Sequence, residues 1–217
     1  TKICVAYEDM ERFFPKDRLV LTGNPVRQNV LSAKPKAEEA FKFFGFEPSK
    51  KTLLIIGGSL GARTINNSVI AGLDKLKAAG IQVLWQTGKF YEQEMREFLV
   101  EHPTENVWQG AFIERMDYAY EAADLVISRS GACTVSELCL VGKPTMFVPS
   151  PNVSEDHQTK NAMALVEKGA AEIIKDSEAV ARGMKEAVAL ATDRERLEHL
   201  SANIASLAIV DSADRVV

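Results

Sequence analysis

No apolar run in this sequence approaches the roughly 20 residues that a membrane-spanning helix needs, and no region carries a basic excess. Lysine and arginine number 26 against 30 aspartates and glutamates, a formal net charge of -4. A stripe of phosphate contacts along a nucleic acid is therefore not expected. Cysteine is scarce: Cys4, Cys133 and Cys139 are odd in number and not at zinc-ligand spacing, which excludes a disulfide scaffold and fits a reducing cytosol. The three histidines show no ligand spacing either, so no metal site is expected. Internal repeats and low-complexity tracts are missing. What remains is the composition of a globular protein with a real core, 46% hydrophobic and 26% charged over 217 residues.

Short apolar runs recur along the chain: "LLIIG", "IQVLWQTG", "ADLVISRSG", "PTMFVPS" and "AAEIIKD". Each is too short for a helix and nearly continuous in hydrophobicity, as strands covered on both faces are. Between them lie helical patterns: "ARTINNSVIAGLDKLKAAG", "FYEQEMREFLVEH", "MDYAYEAA", "TVSELCLVG" and "QTKNAMALVEKG". Several of these close on a glycine such as Gly80, Gly142 or Gly169. After Asp176 the pattern is helical almost to the end. This alternation predicts an α/β fold, a Rossmann-like doubly wound parallel sheet.

In "LLIIGGSLGARTINNSV", residues 53–69, a strand breaks at Gly57, Gly58, Ser59 and Gly61 and becomes a helix. Ligands of such sheets sit outside the carboxyl ends of the strands. Glycines admit close backbone approach, and a helix start favours an anion, so a phosphate fits here. The spacing is neither the dinucleotide fingerprint nor a Walker A loop. A tight turn whose glycines serve packing alone is the competing reading.

"DLVISRSGACTVSELCLVGKP" repeats the pattern, with a strand ending at residues 128–131 and a helix beginning near Ala132. Glu137, about one turn into that helix, can accept hydrogen bonds from the vicinal hydroxyls of a ribose. Residues 134–137, "TVSE", also satisfy a capping box, so Glu137 has a competing role in closing the helix start. A third stretch, "FVPSPNVSEDHQTKNA", places Glu155, Asp156, His157 and Gln158 at another helix start. Gln158 offers both donor and acceptor to a sugar. His157 is a candidate general base or ligand, against the commoner outcome of a solvated residue.

"TGNPVR" (22–27), "GGSLGARTIN" (57–66), "SRSGACTVSELCLVGKP" (128–144) and "EDHQTKNA" (155–162) together resemble glycosyltransferase family 28, the GT-B enzymes that complete lipid II in bacteria. Order and intervals match over nearly the whole chain. The resemblance implies two Rossmann-like domains facing a cleft, with the carboxyl-terminal domain binding UDP-N-acetylglucosamine. It places Ser59 and the amides around it, Gly58 and Gly61 included, on the diphosphate, and Arg27 at the hinge near the nucleotide. It sets Phe112 and Ile113 against the uracil, Glu137 on the ribose hydroxyls, and the Ala132 amide with Gln158 on the N-acetylglucosamine. His157 stands where some relatives carry a second glutamine.

The resemblance also implies that the acceptor site for lipid I, the membrane-facing patch and the catalytic base belong to an amino-terminal domain. The first residue is not Met, so a segment of a longer protein is expected. Residues 1–26 are expected to supply only the last strand and connecting helix of that domain, residues 27–210 the UDP-N-acetylglucosamine domain, and residues 211–217 the start of a helix returning towards it. No catalytic residue is expected within this chain, nor a cofactor or metal. The full-length enzyme would work in peptidoglycan synthesis as a cytoplasmic protein, peripheral on the inner face of the plasma membrane. Two alternatives stay open: the donor subunit of a split N-acetylglucosaminyltransferase, and another UDP-sugar enzyme such as an epimerase.

Overall fold

The computed structural model describes residues 2–5, 11, 14–26 and 36–216. Its centre is a six-stranded parallel sheet built from β3 (Thr52–Ile56), β4 (Gln82–Gln86), β5 (Val107–Gly110), β6 (Leu125–Ser128), β7 (Thr145–Phe147) and β8 (Glu172–Ile173). The strand order is β5-β4-β3-β6-β7-β8. The chain therefore runs outward from β3 to one edge, returns to the other side of β3, and runs outward again. This is the doubly wound order, and its direction reverses between β3 and β6.

Burial explains why these segments are strands. Leu53, Leu54 and Ile55 of β3 are all fully buried, each contributing roughly 1.5–3 kcal/mol relative to exposure. Successive side chains alternate between faces. Leu54, Leu84, Val126 and Phe147 pack on one face, and Leu53, Ile55, Val83, Trp85, Leu125 and Ile127 on the other.

The helices divide accordingly. α1 (Ala37–Phe44), α4 (Met116–Ala122), α5 (Ala132–Val141) and α6 (His157–Val166) cover the first face. α2 (Arg63–Ala78), α3 (Glu92–Glu101) and α8 (Met184–Thr192) cover the second. α8 follows a short turn, α7 (Asp176–Glu178), and a π-helical stretch (Ala179–Gly183). α9 (Arg194–Ser206) wraps the β8 edge, since Leu197 and Leu200 join one core and Ile204 the other.

Three features depart from the sequence expectation. β5 and α1 were not anticipated: "VWQG" carries too little apolar sequence to announce a half-buried edge strand, and α1 buries only Ala40 and Phe44. The amino-terminal segment holds two short strands where one was expected. β1 (Ile3–Val5) and β2 (Leu19–Leu21) pair in parallel as a separate sheet. The helix expected directly after β1 falls largely outside the described residues.

After β2 the chain is fastened to the large sheet's layer. Asn24 Nδ2 donates to the Ala132 carbonyl at 3.3 Å and to Ser136 Oγ at 3.0 Å. From the carboxyl end, α10 (Ser212–Val216) sends the Ser212 hydroxyl to the Asn24 carbonyl at 2.9 Å.

Candidate functional site

β3 and β6 are neighbours in register, with Ile56 beside Ser128, and each leads into a helix on a different face of the sheet. The starts of α2 and α5 therefore flank the switch point of the sheet, where open α/β sheets bind ligands. The α2 N-cap is Ala62 and the α5 N-cap is Gly131; neither makes a side-chain cap bond, and neither first turn carries an acidic residue. Two positive helix ends converge with no carboxylate in their first turns to oppose an anion.

The first loop is shaped by steric demand. Gly61 has φ +94°, and a Cβ there would lie 2.3 Å from the Thr87 carbonyl oxygen and 2.5 Å from Tyr91 Cδ2. The turn at 87–91 grips the loop from behind, with Lys89 N donating to Ser59 O at 3.1 Å and Phe90 N to Leu60 O at 3.4 Å. Asn66 fixes that turn: its Nδ2 donates to the Thr87 carbonyl at 3.0 Å, while its Oδ1 accepts from the buried Trp85 indole at 3.0 Å. Gly58, at φ +85°, has nothing within 4 Å of its Cβ position, and Ser59 beside it is exposed. Gly61 therefore serves packing, whereas Gly58 and Ser59 are open to solvent.

The second loop is set by polar stitching. Ser130 Oγ donates to the Gln158 carbonyl at 2.7 Å, and Asn161 Nδ2 donates to the Ser130 carbonyl at 3.0 Å. These bonds tie the entry to α5 to the first turns of α6, so Ala132 and Gln158 are brought to one side of the crevice. Ser150 N donates to Gln158 Oε1 at 2.9 Å, which fixes the carboxamide and assigns its Nε2 as the donor end. His157 is exposed, its Nδ1 2.9 Å from the Ser154 carbonyl oxygen. Just before it, Glu155 and Asp156 both have φ +54°. Consecutive left-handed non-glycine residues cost about 1–3 kcal/mol each, and such strain gathers at ligand-binding segments.

Glu137 is only 8% exposed, and its Oε1 accepts a 2.7 Å hydrogen bond from the Tyr120 hydroxyl. The capping reading is corrected here. α5 begins at Ala132 with Gly131 as N-cap, so Thr134 already lies within the helix and Glu137 lies beyond the first turn. Phe112, just past β5, is 52% exposed, whereas Ile113 is 1% exposed. The Ile113 amide donates to Gln86 Oε1 at 3.2 Å, which leaves its carbonyl as the group suited to a base edge. Arg27 lies outside the described residues. Among the described residues no group of three His, Cys, Asp or Glu side chains converges as a metal site.

Three participants escaped the sequence reading. Tyr120 was visible only as part of the α4 pattern. Arg129 and Asp176 form an ion pair with a 2.5 Å Nη1–Oδ1 distance, and Asp176 Oδ2 accepts from Thr64 Oγ1 at 2.9 Å. No local spacing announces a pair separated by 47 positions. A separate cavity of about 440 Å³ opens behind α5, between Gly23 and Asn24, Ser136 and Cys139, and Leu207; none of the sequence-predicted site residues lines it.

Strand order, switch point and paired helix starts define a Rossmann-like domain of the kind found in GT-B glycosyltransferases. Comparison with known proteins narrows the class. The model of the glycosyltransferase family 28 C-terminal domain matches residues 52–216, and the chain belongs to that family. It is 57% identical over 217 residues to a Parabacteroides distasonis protein named UDP-N-acetylglucosamine–N-acetylmuramyl-(pentapeptide) pyrophosphoryl-undecaprenol N-acetylglucosamine transferase, covering 100% of this chain and 59% of that protein. A Phocaeicola vulgatus protein of the same name is 56% identical over 216 residues, covering 98% of this chain and 57% of that one. Among solved structures, Acinetobacter baumannii MurG superposes with a TM-score of 0.73 at 25% identity, over 98% of this chain and 58% of that one. The chain thus spans somewhat more than half the length of the curated relatives it matches.

Proposed function

We propose that this chain is the donor-binding portion of an inverting glycosyltransferase. The full-length enzyme would move N-acetylglucosamine from UDP-N-acetylglucosamine to the C4 hydroxyl of the muramyl sugar of lipid I, giving lipid II. The observation that carries this reading is the pair of helix starts at the β3/β6 switch point, neither with a side-chain cap bond or an acidic residue in its first turn.

In this reading the diphosphate lies against Gly58, Ser59 and the start of α2, with the start of α5 opposite. Each helix start contributes about 0.3–2 kcal/mol to anion binding. The remaining affinity comes from the nucleoside and the sugar. Phe112 supplies an exposed aromatic face for the uracil, and the Ile113 carbonyl accepts from its N3–H. Glu137, oriented by Tyr120, accepts from the ribose hydroxyls. Gln158 Nε2 donates to an oxygen of the N-acetylglucosamine, with the Ala132 turn and His157 beside it. Arg27 would act from the linker.

The acceptor hydroxyl attacks the anomeric carbon, the bond to the diphosphate breaks and UDP leaves, so the configuration inverts. Negative charge grows on the β-phosphate as that bond lengthens, and the helix starts are already oriented to stabilise it. The base that removes the acceptor proton, the lipid I site and the contact with the inner face of the membrane are assigned to sequence beyond this chain. With the helix starts carrying the leaving-group charge, the full-length enzyme should keep its activity in a chelator. Activity that vanishes in EDTA and returns with magnesium would overturn that part of the mechanism.

Calorimetric titration of the full-length protein with UDP-N-acetylglucosamine, UDP and ADP tests the donor site. Uridine nucleotides are expected to bind selectively, and Glu137→Ala to weaken them by about 1–3 kcal/mol, the scale of an unpaired polar group. Cys133 gives an independent readout, because it is exposed one residue past Ala132. Cys139 is buried, which pushes its thiol up to about 11 and keeps it unreactive at neutral pH. In a Cys4→Ser background, UDP-N-acetylglucosamine should slow alkylation of Cys133. Equal binding of ADP together with unprotected Cys133 would sink the proposal.

A further inference from the structure

Arg129 is the one cation between the two loop serines Ser128 and Ser130, and its position invites assignment to the diphosphate. The geometry points elsewhere. Its Nη1 donates to the Val148 carbonyl at 2.8 Å, to the Pro149 carbonyl at 3.1 Å and to Asp176 Oδ1 at 2.5 Å. The other oxygen of Asp176 accepts from Thr64 Oγ1 at 2.9 Å, and Thr64 is the second residue of α2. The Arg129 and Asp176 side chains are only 16% and 17% exposed.

We propose that Arg129 is a positioning residue of the donor site and not one of its anion ligands, acting with Asp176 and Thr64 to hold the two helix starts in fixed relation. This rests on the donor-site reading above. One network joins the end of β6, the exit from β7, the turn after β8 and the first turn of α2. The α2 and α5 starts stand on opposite faces of the sheet, and this network links them at the strand ends in addition to the β3–β6 ladder. Asp176 neutralises Arg129, so the pair adds little net field to the crevice, and the helix ends supply the attraction for an anion. Turning Arg129 towards a phosphate would strip a mostly buried carboxylate of its partner, the costly way to break such a pair.

Asp176→Asn separates the two roles by sign. It keeps shape and removes the charge that retains Arg129. A direct phosphate ligand, once released, would bind UDP at least as tightly as before. A positioning role instead makes UDP and UDP-N-acetylglucosamine bind about 10-fold more weakly, the scale of a lost charge-assisted bond. Arg129→Lys sharpens the contrast. An ammonium suffices for a mobile phosphate, but the lysine stem ends one bond short of the point where Nη1 meets the Val148, Pro149 and Asp176 oxygens, so the positioning role predicts a loss close to that of Arg129→Gln. Thr64→Val, near-isosteric, is expected to lose about 2–5-fold.

All variants are measured in the full-length protein well below their melting temperatures. Donor KM should rise while acceptor KM stays constant; a merely structural defect would lower kcat with the folded fraction and leave both KM values alone. Asp176→Asn binding UDP as tightly as wild type, or Arg129→Lys behaving as wild type, overturns the positioning role while the donor site stands. Wild-type protein without uridine preference overturns the donor site and the positioning role with it.

Discussion

The two loops at the switch point each lead a strand into a helix, and they are built in opposite ways. In the loop before α2, backbone meets backbone: a Cβ on Gly88 would lie 2.1 Å from Gly61 N, and one on Gly61 would lie 2.3 Å from the Thr87 oxygen. In the loop before α5 the single glycine, Gly131, has open space around it, its nearest neighbour being Thr134 Oγ1 at 4.0 Å. There Ser130, Asn161 and Arg129 do the fastening through side-chain hydrogen bonds. A helix start can thus be fixed in place by packing glycines or by tying polar side chains. The first method tolerates no added atom. The second distributes its tolerance over several replaceable bonds.

The largest expected effect follows from the first loop. Gly61→Ala and Gly88→Ala should each destabilise by about 3 kcal/mol or more, because added overlap with backbone has no soft partner and both positions have positive φ. Urea unfolding midpoints measure this. A Gly61→Ala variant with the wild-type midpoint would erase the contrast between the loops.

The second loop should yield in smaller steps. Ser130 is fully buried, so Ser130→Ala leaves the Gln158 carbonyl without that donor, at about 1–2 kcal/mol. Asn161→Ala should cost a similar amount. The double variant should cost less than the sum, because both bonds fasten the same residue to the same helix. Strict additivity would show that the two bonds do not act on one element.

The contrast also marks what was legible in the sequence. The sheet could be read because Leu53, Leu54 and Ile55 are buried on both faces, and continuous apolar runs announce such strands. The glycine loop could be located, yet its two roles could not be divided, since the clash at Gly61 comes from Thr87, which only β4 delivers. Glu137 was legible as a carboxylate near a helix start. Its partner Tyr120 was not, because the bond crosses from α4 to α5. The capping-box pattern misled because the helix begins at Ala132, two residues before Thr134, with Gly131 as its N-cap. Long-range polar pairs such as Arg129 with Asp176 leave no periodic trace.

Gly58 tests the open part of the first loop. A Cβ there meets nothing within 4 Å, but φ is +85°. Gly58→Ala should therefore cost about 1–2 kcal/mol from conformation alone. The bound donor would add to this if the diphosphate approaches Gly58 closely, so affinity should fall by more than stability.

Gly131→Ala is expected to have the smallest effect on folding. The residue has φ -63° and ψ 146°, a conformation open to any L-residue, and its Cβ site is empty. Losing a favoured N-cap glycine to alanine costs roughly 0.5–1 kcal/mol, and stiffening the unfolded chain returns about 0.4–1 kcal/mol. The two nearly cancel, so the urea midpoint should barely move. Donor affinity should respond differently, because the added methyl stands at the mouth of the α5 start, where the phosphate or sugar must come within contact distance of the backbone. Unchanged stability with weakened UDP-N-acetylglucosamine binding would mean that the glycine at 131 is there for the ligand while Gly61 is there for the fold. Unchanged binding would place the ligand away from this helix start and leave α2 as the only anion-facing end.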